Sequence, residues 1–404
     1  SPERTDFMNE NKRLPYVVFS LLLLLCPFFL PSSQAAEITL TPSVGLRTEY
    51  DDNIDFDHND RKRDDFVFTV SPGLRLDYKT ERTYLGATAK LNVLRYADYS
   101  DEDVTNQYYG LNLSHRLLEK LSVRANAGYS RDTTKDTYFE ETGLVTRKSD
   151  VHRYSGGAGL SYTLSEVSDL GLNYSHSQTD YTSEDDEDTT SDSVSLTYSR
   201  AFYDRRYILS LSPLYTHYDS DNSTVDNYGL SLGVSYRFRE TLTINASAGA
   251  RYSDAQYHKS RYRLREETDT NWNWTANISA TKSWETSSAT VGYSRDMYYT
   301  SEGEPINVDR FYANASRKIT EKFGAALSGA LSFTKSDDTK YEASEEDSRY
   351  YSISPSLYYT FTKDYRLDVG YTYANDYDKT LDRYRTIDRN RFWILLTFNF
   401  PYTW

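Results

Sequence analysis

The feature of this sequence that most constrains its fold is a strict alternation of short and long connections between period-two segments. From residue 38 onward, apolar and polar residues alternate along each segment, which is the pattern of β-strands with two different faces. Short turns are predicted at 79–82, 118–120, 165–168, 203–205, 239–241, 283–286, 319–322 and 362–364. Long polar loops are predicted at 51–64, 97–106, 132–149, 182–192, 219–226, 254–268, 299–308, 335–348 and 376–389. Eight turns and nine loops predict eighteen strands.

This asymmetry between connections favours a membrane barrel over a soluble repeat fold. Outer-membrane barrels have an even number of strands, short periplasmic turns and longer extracellular loops. A propeller or solenoid also repeats, but it gives no reason for long and short connections to alternate. We therefore predict an all-β fold over residues 37–404, a transmembrane antiparallel up-and-down β-barrel in the cell outer membrane.

The composition agrees with a barrel and argues against other classes. The mean hydropathy of −0.73 is too low for a bundle of membrane helices, whereas 39 tyrosines are too many for a disordered chain. Alternation of lipid-facing and lumen-facing residues lowers the average hydropathy of a barrel. The formal net charge of −14 argues against nucleic acid as a partner, because phosphates are neutralised by clustered Lys and Arg.

Residues 1–36 are predicted to be a secretory signal peptide. Lys12 and Arg13 precede an apolar run at 14–30, and small residues around Ala35 suit a cleavage site. Met8 is the expected start, with 1–7 an upstream extension. An N-terminal membrane anchor is the alternative, which the prolines and short length of the run disfavour. The one cysteine, Cys26, lies in the apolar run, so thiol chemistry is not expected in the mature chain.

The two faces of each strand can be assigned by energetic cost. A Lys or Arg that faces lipid at the midplane costs about 2–4 kcal/mol, so charges in mid-strand are expected to point inward. This assignment predicts a lumen lined by Arg47, Arg75, Lys90, Arg124, Arg237, Arg251 and Arg366. The predicted inward-facing acids are chiefly Glu49, Asp77 and Asp368. Either the cations give the lumen a preference for anions, or they pair with neighbouring acids and give none.

The segment 390–404 carries an apolar and aromatic face at period two, formed by Phe392, Ile394, Leu396, Phe398, Phe400, Tyr402 and Trp404. It resembles the terminal strand of bacterial outer-membrane barrels, which closes the barrel against the first strand and is read by the barrel-assembly machinery. The resemblance implies these two roles for the segment. A core strand of a soluble β-sandwich is the alternative. Pro401 leaves open whether the strand ends at Phe400 or Trp404.

A second resemblance concerns the opening strand. The segments Thr41-Pro42-Ser43-Val44-Gly45-Leu46 and Glu49-Tyr50-Asp51-Asp52-Asn53-Ile54, with recurrent Ser-Pro strands, resemble the β-barrel porin 2 family. The resemblance implies a large porin-sized barrel. Some members accompany exopolysaccharide secretion and are thought to pass the polymer across the outer membrane. Four prolines, Pro42, Pro72, Pro213 and Pro355, lie inside predicted central strands, where β-bulges are one explanation.

Few residues point to chemistry. The acidic run 184–188 and Asp51-Asp52-Asn53 offer carboxylates for a hard cation, but without EF-hand spacing, so solvated loop and turn residues are favoured. The six histidines show no metal-ligand spacing, and no G-x-S-x-G motif is present. Gly128-Tyr129-Ser130-Arg131-Asp132 recurs as Gly292-Tyr293-Ser294-Arg295-Asp296, which we interpret as a hairpin-level repeat. We expect no catalytic residue, no metal site and no cofactor.

The sequence therefore favours a porin-like channel with a polar, water-filled lumen. A conduit for exopolysaccharide export and a pore for saccharides or anions are the two specific forms of this hypothesis. The alternative is a structural or adhesive barrel with a closed lumen, whose acidic extracellular loops bind partners; an enzyme ranks third. The expected partners are outer-membrane lipid and lipopolysaccharide, the barrel-assembly machinery and polysaccharide-export components, and not nucleic acid.

Overall fold

The fold is an eighteen-stranded antiparallel barrel with one further short strand. The computed structural model describes residues 36–134, 149–183, 186–258, 267–299, 305–336, 347–380 and 383–404, so the predicted signal peptide lies outside them except for Ala36. The strands are β1 Glu37–Asp51, β2 Asp65–Lys79, β3 Thr83–Tyr96, β4 Val104–Leu118, β5 Leu121–Thr133, β6 Asp150–Ser165, β7 Ser168–Tyr181, β8 Thr189–Phe202, β9 Tyr207–Ser220, β10 Ser223–Phe238, β11 Leu242–Tyr257, β12 Glu267–Ser283, β13 Ser287–Tyr299, β14 Pro305–Lys318, β15 Phe323–Ser336, β16 Asp347–Thr362, β17 Tyr365–Thr380, β18 Arg383–Asn399 and β19 Tyr402–Thr403.

Every strand from β1 to β18 pairs with the next, and β18 pairs with β1 to close the barrel. The closing ladder runs from Ser43 opposite Asn399 to Asp51 opposite Arg391. The predicted fold class and strand number are therefore confirmed. The described residues also form two 3-10 turns, Asn59–Arg61 and Ser100–Glu102, and no helix among them is long and apolar enough to cross a membrane.

The end of the last strand is interrupted once, at Pro401. β18 ends at Asn399, and β19 resumes pairing with β1 through Leu40–Tyr402 and Thr39–Thr403. Both segments keep the same register, because each pair of opposed residue numbers adds to the same value (43 and 399, 40 and 402). Pro401 has no N–H to donate, so the ladder breaks there but the chain does not change direction.

The predicted turns agree with the structure within about one residue at each end, whereas every observed loop is shorter than the loop predicted for it. Two of the loop predictions are wrong. The connection predicted at 219–226 consists of residues 221–222, and β17 ends at Thr380 with β18 beginning at Arg383 in place of a loop at 376–389. The polar residues of these segments remain in the ladder, since a strand in water keeps its hydrogen bonds without an apolar face. The polar residues of these segments therefore indicate where the strands leave the membrane, and not where the strands end.

The two faces of the sheet differ in exposure. On β2, Phe66, Phe68, Val70 and Leu74 are exposed, while the alternate residue Val67 is buried. Exposed apolar rows of this kind run around the barrel, and they form the outer surface, which faces lipid in a membrane barrel. Residues directly opposite in an antiparallel register share a face, so the outer and inner sets follow from strand to strand.

The in-strand prolines do not form bulges. The β2–β3 ladder lacks pairs at Ser71 and Pro72 but keeps its register on both sides, and the same holds for Pro213 between β8 and β9 and Pro355 between β16 and β17. On its other side each proline stands opposite an outer-face residue, as Pro213 does to Leu230. Each proline thus weakens one ladder and leaves the other intact, so the bulge explanation is wrong for these three.

Candidate functional site

The inner wall of the barrel carries cations that pair with acids two residues along the same strand. Arg75 Nε donates to Asp77 Oδ2 at 2.7 Å, and Arg366 Nε donates to Asp368 Oδ2 at 2.8 Å. Arg47 bonds to Glu49 in the same way. Residues i and i+2 of a strand point to the same side, so these pairs need no partner from a neighbouring strand.

Aromatic rings hold two of these arginines in place. The guanidinium carbon of Arg47 lies 5.1 Å from the ring centroid of Trp393, and that of Arg366 lies 4.2 Å from the ring centroid of Tyr358. Both distances are within the range of cation–π attraction. Arg75 and Arg366 lie near the short-turn end of the barrel, where β2 ends and β17 begins.

The remaining predicted lumen cations divide into two groups. Arg251 on β11 reaches across to Asp296 on β13, with Nη2 at 2.6 Å from Oδ1. Lys90, Arg124 and Arg237 make no ion pair with another residue that the structure describes. Their registers place each on the same face as the paired cations, for example Lys90 opposite Gly73 and Arg124 opposite Gly159. Small neighbours leave these side chains room to extend away from the wall.

At the long-loop end, the connection 52–64 between β1 and β2 folds over the inner wall. Phe56 is 3% exposed and packs with Tyr350 on β16, Ala374 on β17 and Ile387 on β18. These three share the inner face, because Tyr350 stands opposite Asp376, which stands opposite Ile387. Phe56 adopts a positive φ of 51°, which is uncommon for an aromatic residue. The loop therefore narrows the mouth of the barrel.

Three consecutive residues fasten this loop to the closing strand. Arg389 Nε donates to both carboxylate oxygens of Asp51, at 3.0 and 2.9 Å. Asn390 donates to Asp52 from its backbone N–H at 2.6 Å and from Nδ2 at 2.7 Å. Asn53 Nδ2 donates to the backbone carbonyl of Asp388 at 3.0 Å. We call these contacts the seam cluster, because they span the β1–β18 junction that closes the barrel.

Asn53 also shapes the loop itself. Its backbone N–H donates to Asp51 Oδ1 at 3.0 Å, and its side-chain Oδ1 accepts from the backbone N–H of Asp57 at 3.0 Å. These are Asx-type contacts, so Asp51-Asp52-Asn53 does serve as a turn, as favoured from sequence. Asn53 is fully buried, so its hydrogen bonds are shielded from water and hold the conformation of the loop.

A second connection supports the first. Arg63 Nη2 donates to Asp55 at 2.7 Å within loop 52–64 and to Glu102 at 2.6 Å in the β3–β4 connection. Its guanidinium carbon also lies 4.6 Å from the ring centroid of Tyr99. The hydrogen bonds that Arg63 donates to Asp55 raise the pKa of Arg63 above its ordinary value. Loop 52–64 is thus held on both sides.

Other inner-face residues are buried at the same end. Tyr218, Val225, Ala255 and Tyr257 form one cluster on β9, β10 and β11, and Ile306 packs with Val308 on β14. Asp132, which is 2% exposed, forms an ion pair with Arg153. The apolar clusters that the described residues form on the inner wall all lie at this end. The mouth is therefore the tightly packed part of the channel wall.

Sequence reasoning missed the contacts of Arg389 and Phe56. Arg389 lies in the segment 376–389, which is predicted as a loop, and Phe56 lies in the predicted polar loop 51–64. A signal for Arg389 is present, because Ile387, Arg389, Arg391, Trp393 and Leu395 continue the inner face of β18 at period two. No sequence signal pointed to the inward packing of Phe56.

The terminal aromatic face lies on the outside of the closing strand. Phe392, Ile394, Phe400 and Trp404 are exposed, and Phe398 and Leu396 stand opposite Val44 and Leu46 of β1. The predicted closure against the first strand is therefore observed. Recognition by the barrel-assembly machinery stays a prediction.

Comparison with known proteins agrees with this architecture. Residues 20–202 match a family model described as outer membrane protein beta-barrel domain. No curated protein sequence gives a significant match. The closed barrel and the matched domain together place the protein in the outer membrane, whereas membership of the β-barrel porin 2 family stays a prediction.

Several solved structures are similar to the chain at low sequence identity. OccK2 (OpdF) of Pseudomonas aeruginosa shows 12% identity and a TM-score of 0.48, over 90% of this chain and 98% of that one. OpdL of the same organism shows 13% identity and a TM-score of 0.46, over 92% and 99%. The alcaligin outer membrane receptor FauA of Bordetella pertussis shows 10% identity and a TM-score of 0.44, over 92% of this chain and 77% of that one.

Proposed function

We propose that this outer-membrane barrel is a porin-like channel that passes anionic or hydroxyl-rich solutes. The observation that carries the proposal is the set of three inward-facing cations, Lys90, Arg124 and Arg237, without an acidic partner in the described part of the chain. Eighteen-stranded porins leave an aqueous channel between their walls. An uncompensated cation in such a channel attracts anions and repels cations.

The rest of the wall suits solutes that carry hydroxyl groups. The inner face of β8 is a run of Ser and Thr, in which Ser193 shares a hydrogen bond with Thr216 at 2.9 Å and Thr197 shares one with Ser212 at 3.0 Å. Hydroxyl groups both donate and accept, so they exchange readily with the hydroxyls of a sugar. This wall supports saccharide passage, and export of an exopolysaccharide is the specific form that the family resemblance suggests.

One observation favours the second candidate, a barrel with a closed lumen. Phe56 and the seam cluster pack loop 52–64 against the inner wall, and further side chains are buried at the same end. If the mouth has no opening in the native state, the protein acts as a structural or adhesive surface barrel. Its acidic loops would then be the parts that bind partners.

Conductance in planar lipid bilayers separates the two candidates. The purified barrel is inserted into a bilayer between two KCl solutions of different concentration, and current steps and the reversal potential are recorded. Stable steps with a reversal potential on the anion-selective side support the channel. Insertion without steps, when insertion is verified by protease protection, rejects it in favour of the closed barrel.

A further inference from the structure

The outer surface of β13 to β15 carries a groove that the channel does not use. It has a cavity volume of about 440 Å³ and is lined by Tyr293, Asp309, Phe311, Phe333 and Lys335. The register places all five on the outer face, since Tyr293 stands opposite Phe311 and Asp309 stands opposite Phe333. The groove lies toward the long-loop end of these strands, which in an outer-membrane barrel is the outer leaflet.

The floor of the groove is aromatic. The ring centroids of Tyr293 and Phe311 are 4.8 Å apart, and those of Phe311 and Phe333 are 6.5 Å apart in an edge-on arrangement. Beside it on β12, Trp274 is 51% exposed. Aromatic rings at this level pack against acyl chains on their lower side and meet headgroups on their upper side.

Cations stand above this floor. Arg295 lies one step further toward the loops than Tyr293, with its guanidinium carbon 4.5 Å from the ring centroid of Trp274. Arg295 Nη1 donates to Asp309 Oδ2 at 2.6 Å, and Tyr293 Oη donates to Asp309 Oδ1 at 2.6 Å. Lys335 lies one step higher again and is exposed. Asp309 balances Arg295, and Lys335 adds a second cation to the rim, while the register places Asp347 of β16 opposite Lys335.

The spacing of the cations indicates the size of the headgroup. Arg295 and Lys335 lie two strands and two rows apart, which separates their backbones by roughly 12 Å. The guanidinium of Arg295 is held between Trp274 on β12 and Asp309 on β14, so it does not extend toward Lys335 on β15. A disaccharide with a phosphate at each end spans two cations that are held apart in this way. Asp309 fixes Nη1 of Arg295 and Nε is buried, so the N–H groups of Nη2 are the ones left for a phosphate.

We propose that this groove binds a bisphosphorylated glycolipid of the outer leaflet. The acyl chains lie on the aromatic floor, one phosphate meets Arg295, and the second meets Lys335. The site is independent of the pore and requires only that the barrel lies in the outer membrane.

The chain contains its own comparison site. The fragment Gly-Tyr-Ser-Arg-Asp also occurs on β5, where Arg131 Nη2 donates to Asp150 at 2.9 Å. The cavity there is lined by Asp101, Glu102, Asp103 and Asp150 rather than by aromatic rings. An acidic rim repels phosphate, so Arg131 is a matched outward-facing arginine that should not contribute.

The test is lipid titration of the purified barrel in detergent, followed by native mass spectrometry. The probes are bisphosphorylated lipid A, its fully dephosphorylated form and phosphatidylglycerol. We expect lipid A to bind the native protein, and Arg295→Gln with Lys335→Gln to weaken that binding by about tenfold or more, because each charged hydrogen bond is worth about 1.5–3 kcal/mol. Arg131→Gln should bind as the native protein does.

Each other outcome overturns the assignment. Equal binding of phosphatidylglycerol indicates a general anionic lipid surface, and equal binding of the dephosphorylated form indicates that the cations are not used. Loss of binding in Arg131→Gln indicates a non-specific charge effect. Displacement of lipid A by millimolar inorganic phosphate indicates a site for free phosphate. Lys335→Gln alone guards against misfolding, because Lys335 lies at the exposed rim, and it should still weaken binding severalfold.

Discussion

Lys90, Arg124 and Arg237 differ in their surroundings from the other four cations predicted to line the lumen. Arg47, Arg75 and Arg366 each have an acid two residues away, and Arg251 has Asp296. The opposite charges of an ion pair largely cancel, so the pair interacts weakly with a distant ion. An unpaired cation in a narrow channel attracts each passing anion and repels each passing cation. The lumen therefore contains both kinds of cation that the sequence analysis considered, namely cations paired with neighbouring acids and cations without an acidic partner.

Removing the unpaired charges should change selectivity. We expect Arg124→Gln with Arg237→Gln to lower the anion-to-cation permeability ratio by about tenfold or more, since each charge contributes on the order of 1 kcal/mol to a nearby ion. The control is Arg75→Gln with Asp77→Asn, which removes a neutral pair from the same wall. Reversal potentials in a salt gradient measure both variants. Equal effects of the two double variants would contradict the role of unpaired charge.

The Asp51–Arg389 pair offers a test of stability at the scale of single residues. Both side chains are largely buried, with 2% and 15% of their side-chain surface exposed. Asp51→Ala leaves a buried guanidinium without its carboxylate, so we expect a loss of about 3 kcal/mol in the free energy of unfolding. Urea titration of the barrel in lipid vesicles measures it.

Two further variants complete that test. Asp60→Ala removes an exposed acid from the same loop and should leave the unfolding midpoint nearly unchanged. Asp51→Ala with Arg389→Leu removes both charges and should recover most of the loss. A double variant as unstable as the sum of its single variants would show that the two residues do not interact.

At the scale of elements, the sequence defined strands well and connections less well. Period-two alternation located all eighteen long strands and their lipid-facing sides, because it reflects two solvents on two faces of one sheet. Loop lengths failed at 219–226 and 376–389, because strand ends above the membrane lose their apolar face and keep their hydrogen bonds. The contacts of Arg389 in the seam cluster were missed for the same reason. The packing of Phe56 depends on strands far away in sequence, which no local pattern reports.

Loop 52–64 should limit the current through the pore. We expect Phe56→Gly to raise single-channel conductance, because it removes the ring from the Tyr350–Ala374–Ile387 pocket and relieves the positive φ at that position. Asp60→Gly is the control, since it changes an exposed position of the same loop. Unchanged conductance in Phe56→Gly would mean that the loop lies outside the path of the ions.

For the whole molecule, the two ends of the barrel face different compartments. A tag inserted at residue 187, in the connection between β7 and β8, should be labelled on intact cells. A tag at Glu166, in the turn between β6 and β7, should be labelled only after the outer membrane is opened. This follows from the rule that long connections are extracellular and short turns periplasmic. Labelling of Glu166 on intact cells would invert the orientation.

The barrel is closed by the pairing of its last strands, β18 and β19, with β1. Deleting residues 392–404 removes all but one of the β1–β18 pairs together with β19, which leaves β1 and β17 with exposed edges in lipid. An unpaired edge in the membrane costs several kcal/mol for each unsatisfied backbone group, so we expect no folded barrel in the outer membrane.

The shorter deletion of 401–404 is the matched control for that prediction. It removes the β19 pairs with Thr39 and Leu40 but keeps the nine pairs from Ser43–Asn399 to Asp51–Arg391. We expect it to fold and insert at a lower level. Heat-modifiable migration on gels and recovery in the outer-membrane fraction measure both variants. Native levels of the longer deletion would show that the barrel closes without β18, whereas loss of both variants alike would assign the essential contact to the last four residues rather than to the ladder.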